Sequence, residues 1–400
     1  MPQVSNEKSD FIQSIELILV SMPFDAGRQE RSYSIVESVD AFNASSRGFT
    51  HMESLMVKVR TKQGLTGWGE AFGHKSNPAT WASLEHIVGP FFIGRHTDIA
   101  EAIGEAEYAF HAFGRTGPVH YALSAIDIAL WDIAAQQAGV TLREYLEPGA
   151  RNHVNAYASL VHYAEDPLEV SHHVSQAQQL GFKAFKLHES TPAAIAAARE
   201  SAGDAALMVD VNCAWSLDGA RQAMEQLEEL QLLWVEEPIF PPDATAALRE
   251  LNSQFSNVSA GENHSGVAGL IDAMGSGALS FAQPSVGKIG GISGMLEVRR
   301  AGKRLGIPVI PHCFYYGPAL LATAQLVALD PPQRHTDGRS LPELEIPFVN
   351  WEHTLHSLHA PHQSGMDQHG VVQLPQRHGL GFEPDEQMIE TYLVKRLLLI

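Results

Sequence analysis

The sequence predicts an α/β protein: a (β/α)8-type barrel preceded by a smaller α+β unit. Three observations carry that prediction. From about residue 153 onward, short Val- and Leu-rich runs alternate with helical stretches, the pattern of parallel strands buried on both faces. Three of these runs end in equally spaced carboxylates: Ala-Leu-Met-Val before Asp210, Leu-Leu-Trp-Val before Glu236 and Asn-Val-Ser-Ala-Gly before Glu262. The earlier part of the chain lacks the alternation and reads as a β-hairpin layer followed by helices.

Residues 12 to about 72 read as antiparallel β structure, with Met56-Val57-Lys58-Val59-Arg60 and Thr66-Gly67-Trp68-Gly69-Glu70 flanking the hairpin signal Gln63-Gly64. Residues 78 to 140 read as helical, best over Tyr121 to Gln137, where Leu123, Ile126, Ile128, Leu130, Trp131 and Ile133 form an apolar stripe. Candidate barrel strands begin near Val154, Ala184, Ala206, Leu232, Val258, Leu279, Ile307 and Leu344. Thr191-Pro192 opens an Ala-rich helix as N-cap and first-turn proline. Ser216 opens a helix over Leu217–Leu230, and Gly291 to Leu305 holds another. From about Gly370 the chain reads as loop plus a terminal helix, Glu386 to Leu398, expected to pack back on the first unit. The domain reading is residues 1–145 with 370–400 against them, and a barrel over 146–369.

Four hundred residues, 44% of them hydrophobic, suffice for a large core. A net charge of −19 argues against nucleic acid and anionic membrane surfaces as partners. No apolar run approaches the ~20 residues of a membrane span, and the first residues show no hydrophobic signal segment behind a basic start. The cysteines, Cys213 and Cys313, exclude a disulfide scaffold and fit a reducing cytoplasm. Each reads as a small buried residue at a strand end rather than a nucleophile.

In a barrel the C-terminal strand ends converge on one mouth. The second strand would place Lys186 and His188 there, the third Asp210 and Asn212, the fourth Glu236 and Glu237, and the fifth Glu262 and Asn263. Ser285 with Lys288 beyond it, His312 and Glu345 follow on the sixth, seventh and eighth. Residues two apart share a strand face, so Lys186 and His188 point the same way. A lone Lys or His at a strand end is ordinarily a solvated loop residue; the coincidence of polar ends along the whole series makes one shared site. Three convergent carboxylates repel unless a cation sits among them, and oxygen ligands suit a hard divalent cation such as Mg²⁺. The chemistry implied is proton abstraction next to a carboxylate, with Mg²⁺ and Lys186 stabilising an enediolate. His188 and His312 would stand on opposite faces of the reacting carbon, each able to exchange a proton near neutrality.

At these positions the chain resembles the enolase superfamily, in its mandelate racemase branch. The resemblance is carried by Phe185-Lys186-Leu187-His188, Val209-Asp210-Val211-Asn212, Trp234-Val235-Glu236-Glu237-Pro238, Gly261-Glu262-Asn263, Lys288-Ile289-Gly290-Gly291, Ile307-Pro308 to His312 and the Gly379-Leu380 turn. It covers nearly the whole length. It implies a modified (β/α)7β barrel under a capping domain that sets specificity, and Mg²⁺ on Asp210, Glu236 and Glu262. It also implies that Glu345 hydrogen-bonds the substrate carboxylate as it becomes an enediolate. Two positions depart from the branch. The second-strand motif is usually Lys-x-Lys, and here it is Lys186-x-His188; the sixth-strand Asp that partners the seventh-strand histidine is here Ser285.

A histidine without its carboxylate partner suits an acid that protonates a leaving group better than a strong base. The expected reaction is therefore β-elimination: His188 removes the α-proton, His312 assists departure of the β-hydroxyl, and an acid sugar becomes a 2-keto-3-deoxy acid. Asn212, Trp215, Tyr315 and Tyr316 are candidate hydroxyl-binding groups. From the capping domain, the Phe24 to Arg31 loop offers Arg28 or Arg31 to a second carboxylate. A homo-oligomer is expected. Racemisation or epimerisation, and cycloisomerisation of a sugar lactone, share the intermediate and stay open; a barrel that binds metal and sugar acid without turnover is the non-enzymatic alternative. An amidohydrolase-type barrel is disfavoured, because Tyr157 and Ser159 stand where His-x-His would follow the first strand. His353, His356, His359 and His362 recur every three residues, but Pro361 and the Ser/Thr content oppose a regular helix and hence a metal stripe.

Overall fold

A computed structural model describes residues 10–23, 51–348 and 366–400. Arg28 with its loop, and the run from His353 to His362, lie outside the described residues. The N-terminal strands β1 (Ile12–Pro23), β2 (His51–Thr61) and β3 (Thr66–Ala71) form an antiparallel sheet. Their alternation buries both faces. Ile15, Leu17, Leu55, Val57 and Val59 pack into a core shared with Trp81, Ile126 and Leu130, while Ile18, Val20, Met52, Met56 and Trp68 join the core of the barrel. The long helix Pro118–Gln137 lies so close to β3 that a Cβ on Gly69 would come within 1.9 Å of the Ala125 carbonyl oxygen. Glycine at 69 is thus set by close approach.

The barrel strands are β4 (His153–Leu160), β5 (Ala184–Leu187), β6 (Ala206–Asp210), β7 (Val235–Glu236), β8 (Val258–Ala260), β9 (Phe281–Ala282) and β10 (Leu344–Phe348). They pair in parallel in the order β10-β4-β5-β6-β7-β8-β9. The seventh position departs from the expected strand near Ile307. Among the described residues it is held only by isolated parallel bridges, Ala282 to Val309 and Ser285 to His312. The inside of the barrel is stratified. Tyr157, Met208, Trp234, Phe281 and Ile310 plug the lower part, with Trp234 packed 5.9 Å from Tyr157 and 5.4 Å from Phe281. Two residues further along, on the same faces, stand Asp210, Glu236 and Gln283. The apolar plug forms a dry floor on which the polar layer rests.

The chain end corrects the terminal helix. Helix occupies only Glu386–Thr391; β11 (Val371–Gln373) pairs with β4, and β12 (Leu393–Leu399) pairs antiparallel with β1. The clustered leucines mimic a helical stripe, but the side chains alternate. Leu393, Leu397 and Leu399 turn inward with Lys395 set over the Trp81 ring at 4.2 Å, while Val394 and Leu398 face out.

Candidate active site

Lys186 is the centre of the mouth. It is wholly buried, and its ammonium lies 2.7 Å from Glu345, 3.0 Å from Glu236 and 3.7 Å from Asp210. Burial works against that charge, but the facing carboxylates of Glu236 and Glu345 outweigh it and hold the pKa well above the ordinary lysine value. Glu345 shows the reciprocal effect: burial opposes its ionisation, yet Lys186 and then His312 bring its pKa down to about 2. It also accepts the Cys313 N–H at 2.7 Å. Glu236 takes hydrogen bonds from Gln283 at 2.8 Å and from the Trp234 indole at 3.2 Å. Gln283, two residues before Ser285, carries no signal in the sequence, since a lone amide at a strand end points to no particular partner.

The two histidines contact different carboxylates, with Glu236 on the strand between. His188 Nε2 lies 3.5 Å from Asp210, and its Nδ1 faces the Leu160 carbonyl. A carbonyl can only accept, so Nδ1 carries a proton and Nε2 is the atom free to exchange one. His312 lies 3.3 Å from Glu262 through Nε2 and 3.5 Å from Glu345 through Nδ1. Two carboxylates from strands five and eight thus lie near this histidine, but among the described residues its Nδ1 has no hydrogen-bond partner, so the orienting bond that the sixth-strand Asp would give is not replaced. Ser285 pairs in register with His312, but its hydroxyl bonds the Tyr315 hydroxyl at 2.6 Å.

The remaining expected residues sort by what they touch. Asn212 donates its backbone N–H at 2.9 Å and its side-chain amide at 3.0 Å to Asp210, which makes it an orienting group for that carboxylate. Asn212, Cys213 and Glu237 all hold left-handed backbone conformations (φ 49, 60 and 44), local strain of the kind found where a site is over-determined. Trp215 is half-buried; Tyr315 and Tyr316 are buried, and the Tyr316 hydroxyl has no hydrogen-bond partner among the described residues. Lys288 bonds Asn263 at 2.6 Å and contacts Glu262 at 3.3 Å, while its ammonium sits 4.2 Å over the ring of Phe72, at the end of β3. Asn263 in turn donates to both oxygens of Glu237 at 2.9 and 3.0 Å. Burial, then the charges of Glu262 and Asp210, raise the Glu237 pKa well above the carboxylate range, against the opposing charge of Lys288 and the Asn263 hydrogen bonds.

Charge decides whether the mouth fits a divalent cation. With all four ionised, Asp210, Glu236, Glu262 and Glu345 against the ammonium groups of Lys186 and Lys288 would leave two negative charges over. Burial pushes the Glu236 pKa up to about 8, Lys186 opposing and Asp210, Glu345 and Glu262 adding to the rise. Its Oε1 is buried without a hydrogen-bond partner among the described residues. One divalent cation on Asp210, Glu236 and Glu262 would satisfy the charge and the orphaned oxygen together. Among the described residues, the one set of three side chains whose ligand atoms already lie within 4.8 Å of each other is a different one, His162, Glu165 and Glu189.

Two family models match this chain. The enolase C-terminal domain-like model covers residues 169–388, and the mandelate racemase/muconate lactonizing enzyme N-terminal domain covers 35–146. The chain belongs to the mandelate racemase/muconate lactonizing enzyme family of the enolase superfamily. Within that family it is 28% identical over 352 residues to D-galactarolactone cycloisomerase of Agrobacterium fabrum, covering 86% of this chain and 92% of the relative. It is 25% identical over 391 residues to L-talarate/galactarate dehydratase of Salmonella typhimurium, covering 95% and 91%. The crystal structure of that dehydratase liganded with Mg and L-lyxarohydroxamate superposes with a TM-score of 0.81 at 24% identity, over 100% of this chain and 97% of the other. The fold, an α/β barrel with an N-terminal cap, is the fold of this family. No helix among the described residues is long and apolar enough to cross a membrane.

Proposed function

We propose that this family member is a Mg²⁺-dependent acid-sugar dehydratase. The observation that carries the reading is the pair of imidazoles on different carboxylates, His188 on Asp210 and His312 on Glu262, around a buried Lys186–Glu345 pair. Mg²⁺ on Asp210, Glu236 and Glu262 would supply positive charge to the substrate carboxylate as electron density moves onto it. Lys186 adds a fixed ammonium to the same end of the substrate, in a dry site where it needs no reorganisation. His188 Nε2 takes the α-proton, and the C–H electrons enter the forming enediolate. The Cβ–O bond breaks as the enediolate collapses, and His312 gives its proton to the departing hydroxyl, releasing water. The enol that remains tautomerises to a 2-keto-3-deoxy acid. Asn212, Trp215, Tyr315 and Tyr316 would contact the substrate hydroxyls, and Arg28 a distal carboxylate.

The domain division follows: residues 1–145 with 370–400 as the cap, and 146–369 as the catalytic barrel. The pairing of β12 with β1 supports it for the end of the chain, while β11 pairs with β4 and so stays with the barrel. The likeness to a galactarolactone cycloisomerase supports one second reading, in which the same α-proton leaves and a ring oxygen takes the place of the hydroxyl. Free cysteines at 213 and 313 fit the cytoplasm, and the outward Val394 and Leu398 on the edge strand β12 fit a homo-oligomer. Incubation with Mg²⁺ and a panel of sugar acids and lactones in D₂O, followed by proton NMR, tests the reaction. A new 3-deoxy methylene signal is expected for an acid; loss of the α-proton signal without it would replace dehydration by racemisation or epimerisation.

A further inference from the structure

Immediately behind His188, two loops hold each other through two carboxylates that play no part in the chemistry above. The loop after β4 sends the Glu165 carboxylate onto the loop after β5. There it accepts the Ser190 N–H at 2.9 Å, the Ser190 hydroxyl at 2.8 Å, the Thr191 N–H at 3.0 Å and the Thr191 hydroxyl at 2.8 Å. The loop after β5 answers with Glu189, wholly buried, which accepts the Tyr163 and Glu165 N–H groups. Thr191 begins the helix Pro192–Ala202 but its side chain does not cap it; the hydroxyl is diverted to Glu165. Ala164 and Glu165 both sit in left-handed conformations (φ 58 and 59), strained backbone that persists only where the surroundings enforce it. The enforcing contacts are visible: Glu165 N–H is taken by Glu189, and Ala164 N–H by His162 Nδ1 at 2.8 Å.

His162, Glu165 and Glu189 have the composition of a metal site, with Nε2 3.5 Å from each carboxylate. The Ala164 contact argues otherwise. An imidazole that accepts at Nδ1 carries its proton on Nε2, so that nitrogen donates to the carboxylates and has no lone pair for a cation.

We infer that Glu165 and Glu189 are positioning residues that lock the His188 ring against the Leu160 carbonyl, and so keep Nε2 as the proton-exchanging atom. His188 and its carbonyl partner each lie within two residues of the stapled segments: Glu189 follows His188, and His162 follows Leu160 by two. The inference rests on the reading of His188 as the base, but the tautomer it sets can be measured without turnover. Histidine-selective ¹⁵N NMR, with the His188 signal assigned by His188→Ala, should report a proton on Nδ1 in the wild type and in Glu165→Gln, whose side chain still accepts from the loop. Glu165→Ala should mix the tautomers. On a turned-over acid, Glu165→Ala should lower kcat about 10- to 100-fold with KM within about threefold. Glu165→Gln should recover most of that loss, and Mn²⁺ affinity by calorimetry should be unchanged in both. Three results would overturn the inference: an Nε2–H tautomer in the wild type, an unaltered His188 signal in folded Glu165→Ala, or Zn²⁺ binding abolished by His162→Ala. If no sugar acid turns over but the tautomer shifts as described, the staple stands and the dehydratase reading falls.

Discussion

Two regions bury carboxylates completely, and they differ in whether any of those carboxylates is held ionised by a facing charge. At the barrel mouth Glu345 and Asp210 face the Lys186 ammonium, and their pKa values are held down against burial. At the seam between cap and barrel, Glu70, Asp127 and Asp132 are just as buried but meet mainly neutral donors. Glu70 accepts the Ala319 N–H at 3.0 Å, Asp127 the Ser293 N–H at 3.0 Å, and Asp132 the Trp68 and Leu380 N–H groups at 2.9 Å. Burial outweighs these bonds and raises their pKa values to about 7, 7 and 6. Hydrogen bonds from peptide groups position a carboxylate without holding its pKa down against burial. In the mouth Lys186 does hold it down for Glu345, while Glu236, facing other carboxylates as well, is still raised to about 8. The mouth is built for charge, the seam for geometry.

The most severe way to break this contrast is Lys186→Met. It leaves the mouth's carboxylates without their central cation. We expect kcat to fall by about 10³-fold or more and stability, by urea denaturation, by roughly 3–5 kcal/mol. Wild-type stability in that variant would mean that the mouth tolerates unpaired charge as readily as the seam.

The seam offers the next test, with the sign set by its raised values. Its carboxylates bind their protons more tightly folded than unfolded. Their stabilisation is therefore complete below the ordinary values of 3.8 for Asp127 and 4.5 for Glu70, and is lost as pH rises towards about 7. Glu345 acts in reverse: its contribution is present above 4.5 and lost as pH falls towards about 2. Between roughly pH 5 and 7 stability should fall with rising pH, each such group adding a slope of about 1.4 kcal/mol per unit. Asp127→Asn, which keeps an acceptor for Ser293 and cannot titrate, should flatten that slope by one group's share in urea midpoints taken across the range. An unchanged slope would place the titration elsewhere.

How far the sequence foretold these regions follows the same division. The mouth was legible because strand periodicity projects each end residue onto one locus, so Asp210, Glu236, Glu262 and Lys186 could be placed from their runs alone. The seam was not, because Glu70 meets Ala319 and Asp127 meets Ser293 across separations that no local pattern encodes. The staple behind His188 was hidden for the same reason, its carboxylates reading as ordinary loop acids. Ser285 stands where the branch has its Asp and pairs in register with His312, but the carboxylates near His312 come from other strands. The last strand failed differently: leucines bunched at 393 and 397–399 satisfy a helical stripe, and only pairing with β1 decides for alternation.

Ser285→Ala should have the smallest effect and draws the boundary between the regions most finely. The Ser285–Tyr315 bond joins two neutral hydroxyls inside the mouth, and the Tyr315 hydroxyl packs against Gly287, whose carbonyl takes the Phe72 N–H of the cap. Chemically it belongs with the seam. A neutral buried hydrogen bond contributes about 0.5–1.5 kcal/mol, and His312 keeps its contacts to Glu262 and Glu345 without it. We expect kcat to drop by no more than about tenfold, with KM shifting in parallel as Tyr315 relaxes. A loss of about 100-fold or more in kcat alone would mean that Ser285 orients His312 after all, and that the mouth uses a neutral partner where charge was expected to govern.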